Sequence, residues 1–359
     1  MGLFGKKGKD KEGAKEGNSD VSSATRVAMF WHELGEGKVE CELCPHRCKL
    51  TEGKRGICGV RENIGGKLHT LIYGLGSSSH DDPIEKKPLY NFYPGTTVMS
   101  FGTVGCNFRC LHCQNYHISQ RKPEEMPLEN YTIKEVLRLT TGHGCGGVAW
   151  TYNEPTVWFE FTLDGCRAVK DQGLYTVYVT NGYINEEPLR RIAPYLDAMN
   201  IDVKAGTDEF YKKVCKGERK HVLATCELAH KLGIHLELTY LVIPGFNDKE
   251  EEIKQFADWV VHSLSPEVPV HYSRFHPDYK LTDQDATPME TLEMAYNITK
   301  KAGCEYIYVG NVFHSDHENT YCPKCNSLLI ERVGYSTKVV GLKGPSCKKC
   351  GKKIPIKGV

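Results

Sequence analysis

The sequence lacks the long hydrophobic runs and the excess of one charge that would direct it to a membrane or to nucleic acid. No stretch approaches the roughly 18 consecutive apolar residues that a membrane-spanning helix needs. Residues 1–24 contain no apolar core of a signal peptide. The net charge is only +1, which excludes a strong general attraction to polyanions. We therefore expect a cytoplasmic protein, whose thiols stay reduced.

Composition divides the chain into four predicted regions. Residues 1–24 are rich in Gly, Lys and Glu and have little to bury, which predicts a disordered tail. An irregular cysteine-rich region follows at 25–95. A regular core is predicted at 96–316, and a tail rich in Cys, Lys and Gly at 317–359.

Within the core, short apolar runs rich in β-branched residues alternate with longer stretches of helical periodicity. This alternation predicts an α/β domain of parallel strands and crossover helices, with its site at the carboxyl ends of the strands. Periodicity alone fits a partial barrel and an open doubly wound sheet equally.

Cysteine, by contrast, is abundant, because the chain has 16 and most of them stand in tight groups. Such grouping indicates metal ligands rather than a disulfide framework. Cys106, Cys110 and Cys113 form a C-x3-C-x2-C motif after a predicted strand. Three thiolates leave one iron of a four-iron cluster open to a non-protein ligand. A zinc knuckle completed by His112 or His117 is the structural alternative.

Polar residues stand at or near the ends of the later predicted strands. The candidates are Glu154, Thr180, Asn181, Asp202, Lys204, Arg274 and His276. Asn200, Asp202 and Lys204 alternate along one strand and so share a face, which indicates a barrel lumen. The structural alternatives are a helix N-terminal carboxylate at Glu154 and a buried ion pair between Asp202 and Lys204.

Two further cysteine sets flank the core. The N-terminal set has the spacing C-x2-C-x3-C-x9-C and comprises Cys41, Cys44, Cys48 and Cys58. It fits zinc or a second iron-sulfur cluster almost equally, with a slight preference for a structural metal. The C-terminal set has the zinc-ribbon-like spacing C-x2-C-x21-C-x2-C and comprises Cys322, Cys325, Cys347 and Cys350. A rubredoxin-like iron is its alternative. The five remaining cysteines are predicted to pack in the core.

The run CNFRCLHCQN resembles the cluster loop of pyruvate formate-lyase activating enzymes. From about Cys41 to Cys350 the chain resembles the radical S-adenosylmethionine (SAM) enzymes of the AmmeMemoRadiSam system. The segments that carry this resemblance are LCPHRC, DPIEKKPLYNFYPG, TVGCNFRCLHCQNYHISQ, TYNEPTVW and CPKC…LIERVGY…CKKCG. It implies a partial (β/α)6 barrel with a [4Fe-4S] cluster on Cys106, Cys110 and Cys113, and SAM as second cofactor.

The resemblance also implies roles for single residues. His112 stands where an aromatic residue packs near the adenine of SAM, and Glu154 where a Gly-Gly-Glu type motif binds its ammonium group. The double glycine is absent here. Thr180 and Asn181 match a strand end that contacts the ribose. Asp202 and Lys204 match an Asp-Leu-Lys motif, and Arg274 and His276 are candidates for contacts with the SAM carboxylate or the substrate.

These features predict an enzyme that cleaves SAM reductively to a 5′-deoxyadenosyl radical, which abstracts hydrogen from an unidentified substrate. Activation of a glycyl-radical protein is its nearest variant. The electron donor is expected to be ferredoxin- or flavodoxin-like. A Memo-like and an AMMECR-type protein are partners suggested by family association, and the zinc ribbon suggests a macromolecular substrate. The alternative is a non-catalytic iron-sulfur and zinc protein for electron transfer or scaffolding.

Overall fold

The computed structural model of the chain describes residues 21–312 and 316–359. Most of the predicted tail at 1–24 lies outside these ranges. Its last residues, Val21–Ala24, form a helical turn, and Ala24 is buried. None of the helices in the described ranges is long and apolar enough to cross a bilayer.

The helices and strands follow one another as the alternating sequence pattern predicts. The helices are α1 (Val21–Ala24), α2 (Tyr116–Ser119), α3 (Ile133–Gly142), α4 (Phe159–Asp171), α5 (Glu186–Ile192), α6 (Asp208–Phe210), α7 (Arg219–Lys231), α8 (Glu250–Trp259) and α9 (Met289–Ala302). The strands before the core helices are β1 (Arg26–Val27), β2 (Trp31–Gly35), β3 (Lys38–Cys41), β4 (Lys49–Leu50), β5 (Arg61–Ile64), β6 (Lys67–Thr70), β7 (Leu75–Gly76), β8 (Ser78–Pro83), β9 (Thr97–Gly102) and β10 (Glu129–Asn130). The later strands are β11 (Gly147–Trp150), β12 (Tyr175–Thr180), β13 (Ala198–Asp202), β14 (His235–Val242), β15 (Val270–Arg274), β16 (Ile307–Gly310), β17 (Thr320–Tyr321), β18 (Leu328–Val333), β19 (Ser336–Val339), β20 (Leu342–Lys343) and β21 (Ser346–Cys347).

The central sheet has the strand order β16-β15-β14-β13-β12-β11-β9-β8. All neighbours in it are parallel except β8, which runs antiparallel to β9. Side chains at the carboxyl ends of β11 to β15 surround one cavity, which requires a curved sheet. The predicted α/β core with a partial barrel is therefore confirmed.

The two faces of this sheet belong to two different cores. Trp150, Tyr178 and Ile201 point outward and pack with the helices. Ala149 and Val177, at the alternate positions, point inward into a second apolar cluster. The strands are thus buried on both faces, as parallel strands usually are.

The inner cluster is completed by residues 84–92, which we call the plug segment. Its Ile84, Leu89 and Phe92 pack against the inner side chains near the amino ends of the strands. Asn200 of β13 donates a hydrogen bond to the carbonyl of Pro88 at 2.8 Å. The plug segment therefore fills the amino-terminal half of the barrel and leaves the carboxyl-terminal half open.

Glu237 of β14 fixes the plug segment to the sheet. Its carboxylate is fully buried and accepts the N–H groups of Tyr90 and Asn91 at 3.0 and 2.7 Å. Nε2 of His235 and of His271 lie 2.9 and 2.6 Å from the same carboxylate. Burial alone would raise the pKa of Glu237, but the hydrogen bonds from the two histidines outweigh it and lower that pKa to about 2.

The C-terminal region packs on the inner residues of β16. Leu329 and Ile330 join Tyr306 and Tyr308 in one apolar cluster. Arg332 is buried and donates to the carbonyl of Tyr90 at 2.7 Å, which ties this region to the plug segment.

The N-terminal region consists of the small sheets β1-β6-β5 and β2-β3-β4. The buried guanidinium of Arg61 on β5 pairs with the carboxylate of Glu160 on α4. The N–H of Met29 donates to the same carboxylate at 2.7 Å. This region is thereby fixed to the outer side of the barrel.

We predict that Glu237→Gln lowers the free energy of unfolding by about 2 kcal/mol or more, since an amide leaves some of the four donors unpaired. Because the folded-state pKa is depressed, the contribution of Glu237 is complete above about pH 4.3 and is lost as the pH falls towards 2. Denaturant titrations between pH 7 and pH 3 measure both effects. Glu187→Gln, at an exposed position of α5, is the control. Equal stability of the two variants would contradict the role of Glu237.

Candidate active site

A cavity of about 530 Å³ opens at the carboxyl ends of the parallel strands. Most of the predicted site residues line it, namely Cys106, Cys110, His112, Cys113, Glu154, Thr180, Asn181, Asp202 and Lys204. The structure thus brings together side chains from three strand ends, those of β11, β12 and β13, and one loop. The cavity is also lined by Val179, Thr239 and Leu241, which lie on the inner face of the sheet.

The three-cysteine loop follows β9 and is held by its own arginine. Arg109 donates to the carbonyls of Cys106 and Phe108 at 2.7 and 2.9 Å, and to the carbonyl of Ile57. Gly105 has φ +85°, and a Cβ there would lie 2.6 Å from the carbonyl oxygen of Cys58. A glycine is therefore required at the start of the loop.

The three thiols are not arranged around a single ion. Within the described ranges, no three sulfur, histidine or carboxylate ligand atoms of this loop lie within 4.8 Å of one another. A tetrahedral zinc site would place its sulfur ligands about 3.8 Å apart, given Zn–S bonds of about 2.3 Å. The arrangement disfavours the zinc knuckle.

Burial keeps these thiols protonated until a metal binds. It raises the pKa of the Cys106 thiol well above its ordinary value, and the nearby carboxylate of Glu154 raises it further. A hydrogen bond with Cys215, followed by burial, raises the pKa of Cys110. Metal binding here must therefore release protons. Cys215 is buried, as predicted for a packing cysteine, and it is in addition a neighbour of Cys110.

Glu154 has a buried carboxylate with three donors. It accepts the N–H of Thr156 at 3.0 Å, the hydroxyl of Thr180 at 2.7 Å and the N–H of Asn181 at 2.8 Å. The first of these bonds caps the turn Pro155–Trp158, as in the helix-terminus interpretation. The carboxylate also lines the cavity, so capping and ligand binding are compatible.

Asn181 links the carboxylate to the cysteine loop. Its side-chain N–H group lies 2.8 Å from Oδ1 of Asn107 and 3.6 Å from Sγ of Cys106. Because Asn181 follows β12 directly, the strand end fixes the position of the cluster loop. The position of Cys106 therefore depends on the neighbouring strand as well as on its own.

Asp202 and Lys204 form an ion pair on the cavity wall, with Nζ 2.5 Å from Oδ2. Burial opposes the charge on Lys204, but Asp202 and then Cys110 outweigh it and raise the pKa of the ammonium. Burial, and then Lys204, lower the pKa of His112 to about 3. His112 is therefore a neutral imidazole at neutral pH, and its buried Nδ1 has no hydrogen-bond partner among the described residues.

Two of the predicted residues do not line this cavity. Nε of Arg274 donates to the carbonyl of Thr287 at 2.9 Å. His276 is exposed and lies 3.0 Å from the side-chain nitrogen of Gln114, which itself lines the cavity. On β15, Ser273 lines the cavity and His271 contacts the inward-facing Glu237, so strand alternation turns Arg274 away from the lumen.

Sequence reasoning missed two lysines on the cavity wall. Lys86 and Lys87 line the cavity and donate to the two oxygens of Asp82 at 2.8 and 2.7 Å. The hydroxyl of Tyr152 also donates to Asp82, at 2.6 Å. Burial lowers the pKa of Lys87 to about 8 despite Asp82. The adjacent lysines in the segment DPIEKKPLYNFYPG are the sequence feature that could have identified these two residues.

The C-terminal cysteine set is compact. Its four sulfur atoms lie within 4.8 Å of one another, with Cys322 and Cys350 at 3.5 Å and Cys325 and Cys347 at 3.7 Å. These distances match the tetrahedral ligands of one zinc or iron ion.

Comparison with known proteins identifies the family. The Radical SAM superfamily model matches residues 101–257. The uncharacterized protein MJ0808 of Methanocaldococcus jannaschii is 49% identical over 92% of this chain and 99% of its own length. The chain belongs to the radical SAM superfamily.

More distant radical SAM relatives cover only part of the chain. The pyruvate formate-lyase 1-activating enzyme of Escherichia coli K12 is 24% identical over 60% of this chain and 93% of its own length. Among solved structures, a domain of the pyruvate-formate lyase-activating enzyme from Bacteroides vulgatus is 18% identical, with a TM-score of 0.42 over 46% of this chain and 99% of that domain. Two fifths of this chain lies outside its alignment with the E. coli enzyme.

We predict that Cys322→Ser removes one bound metal ion per chain and leaves acid-labile sulfide unchanged, because the compact set fits a mononuclear site. Elemental analysis and sulfide determination on the same sample measure this. Cys304→Ser is the control, since Cys304 is buried, lines a cavity together with Cys322 and belongs to none of the three cysteine sets. Loss of sulfide together with the metal would contradict a mononuclear site.

Proposed function

We propose that this radical SAM enzyme carries out its reaction in the cavity at the strand ends, with a [4Fe-4S] cluster on Cys106, Cys110 and Cys113. The supporting observation is that these cysteines share one cavity with the buried carboxylate of Glu154 and the ion pair of Asp202 and Lys204. A cluster with SAM on its open iron supplies one-electron cleavage to a 5′-deoxyadenosyl radical, which takes hydrogen from a substrate.

The residues of the cavity fit both groups. In the described part of the chain the three sulfurs do not all lie within 4.8 Å of one another, which suits a cluster rather than one ion. Glu154 accepts three neutral donors and retains acceptor capacity for the ammonium of SAM. Lys204, which is also paired with Asp202, is our candidate cation for the SAM carboxylate; Lys86 and Lys87 line the same cavity.

The remaining walls suit the nucleoside part of SAM. Asp202, Thr180 and Asn181 offer acceptors and donors for the ribose hydroxyls. His112 presents a neutral ring with an unpartnered Nδ1, and Val179 and Leu241 are apolar walls for adenine. The plug segment closes the opposite end of the barrel, which helps to exclude water from a reactive radical.

Activation of a glycyl-radical protein is a second candidate, favoured by the similarity to the E. coli activating enzyme. We further propose that the protein belongs to the AmmeMemoRadiSam group, with Memo-like and AMMECR-type partners and a ferredoxin- or flavodoxin-like electron donor. The support for this is the resemblance of the outer cysteine sets and of DPIEKKPLYNFYPG. A purely electron-transferring protein would have no need for the carboxylate of Glu154 beside an open iron.

We predict that the anaerobically reconstituted protein, reduced with dithionite, forms 5′-deoxyadenosine from SAM. Cys110→Ala should abolish this product, because two cysteines cannot hold the cluster in its reactive form. Chromatography of the quenched reaction gives the measurement. Product formation by Cys110→Ala would refute the three-cysteine assignment.

Glu154→Gln should weaken SAM binding about tenfold or more, through loss of one charge-assisted hydrogen bond. Equilibrium binding to the reconstituted protein measures this, with Glu187→Gln as the matched control. Iron content and thermal stability of both variants show whether the cavity is intact. Unchanged affinity in an intact Glu154→Gln variant would remove Glu154 from the SAM site.

A further inference from the structure

The N-terminal cysteine set encloses a small pocket beside the three-cysteine loop. Cys41 ends β3, and the other members, Cys44, Cys48 and Cys58, lie on the loops before β4 and β5. All four line the pocket, together with the apolar side chains of Leu43 and Val157. The pocket is small, about 20 Å³, and its four sulfur atoms make it a candidate metal site.

The spacing of the sulfurs separates this set from the C-terminal one. All four sulfurs of the C-terminal set lie within 4.8 Å of one another, whereas no three in the N-terminal set do so within the described ranges. The three-cysteine loop shares the wide spacing. Ligands of a single tetrahedral ion must be close together, but ligands on different irons of a cluster need not be.

We propose that Cys41, Cys44, Cys48 and Cys58 hold a second iron-sulfur cluster, ligated entirely by cysteine. The C-terminal set, whose four sulfurs lie within 4.8 Å of one another, serves as an internal comparison for the sulfur positions of the N-terminal set. The proposal departs from the slight preference of the sequence spacing for a structural metal at the N-terminal set. The proposal concerns a site outside the SAM cavity and does not depend on SAM cleavage.

Groups around the pocket suit a cluster. Arg61 donates to Sγ of Cys41 at 3.4 Å, and the N–H of Ile57 donates to Sγ of Cys48 at 3.5 Å. Hydrogen bonds to ligand sulfurs and burial set the potential of such centres. A Cβ at Gly56 would lie 3.4 Å from Sγ of Cys48, so the backbone passes close to the ligands.

The two wide sets are in direct contact through their loops. Nε2 of His46 lies 2.7 Å from the carbonyl of Asn107, and Arg109 donates to the carbonyl of Ile57. Asn107 lines the N-terminal pocket, and its neighbour Cys106 lines the SAM cavity. Only a few residues therefore separate the two centres.

This placement assigns the second cluster to electron transfer. Four cysteine ligands leave no open iron for SAM or substrate. The cluster would accept one electron from a reduced ferredoxin- or flavodoxin-type protein and pass it to the cluster on the three-cysteine loop. No bond is made or broken, and the second cluster returns to its starting state.

The test uses the full chain, purified and reconstituted anaerobically. The triple variant Cys106→Ala/Cys110→Ala/Cys113→Ala should keep iron and acid-labile sulfide for one cluster. The double variant Cys44→Ala/Cys48→Ala should lose the iron and sulfide of the second cluster. It should keep the cluster whose paramagnetic resonance signal changes with SAM. Cys166→Ala/Cys226→Ala, which removes two buried cysteines outside all three sets, is the control. A folded triple variant without sulfide, with zinc in its place, would overturn the proposal.

The wild-type protein provides a second measurement that does not depend on the folding of a variant. After reduction it should show two paramagnetic signals, of which SAM perturbs only one. A single cluster signal, with sulfide for one cluster and two zinc ions per chain, would overturn the second cluster. Failure of the proposed function appears separately, as absence of 5′-deoxyadenosine.

The proposed electron transfer from the second cluster to the SAM cluster is tested by a separate rate measurement. Reduction of the SAM cluster by reduced flavodoxin should be about tenfold slower or worse in Cys44→Ala/Cys48→Ala. Reduction by dithionite, a small reductant, should change less. If flavodoxin reduces the SAM cluster at an unchanged rate in this variant, the proposed electron transfer through the second cluster is wrong.

Discussion

The attachment of the plug segment to the inner face of the sheet determines how the barrel is used. A partial barrel of parallel strands has an interior that must be filled or left open to a ligand. Here Glu237 holds the backbone of Tyr90 and Asn91, and the apolar side chains of the segment fill the amino-terminal half. The carboxyl-terminal half remains as the cavity. The polar strand ends meet there because parallel strands end at one edge.

The same segment connects distant parts of the chain. Arg332 of the C-terminal region donates to the carbonyl of Tyr90, and Lys87 lines the cavity at the strand ends, where it pairs with Asp82. A change in the packing of the plug segment should therefore affect both the C-terminal region and the cavity at the strand ends. The C-terminal region packs against the barrel at the end that the plug segment fills, opposite to the cavity.

The sequence was sufficient for the parts of the fold that depend on periodicity. Alternating apolar runs predicted parallel strands, and polar residues at their ends predicted a shared site, since strand order alone brings those ends together. Arg274 shows the limit of this reasoning, because its direction depends on strand register. The Lys87–Asp82 pair depends on the path of the plug segment, which no local pattern encodes. Sulfur spacing likewise depends on loop geometry, so linear spacing left the metal of the N-terminal set undecided.

The charges of the cavity indicate which ligand group suits it. Asp202 is paired with Lys204, and Asp82 is paired with both Lys86 and Lys87. The donors to Glu154 are two backbone N–H groups and a hydroxyl, all neutral. Burial accordingly raises the pKa of Glu154 against the effect of these donors. A cation placed beside Glu154 would recover the electrostatic cost of burying it, as the ammonium of an amino-acid ligand does. The same carboxylate raises the pKa of Cys106, so a bound cation would also make it easier to keep that cysteine ionised on iron. Ligand binding and cluster stability are thus coupled through one side chain.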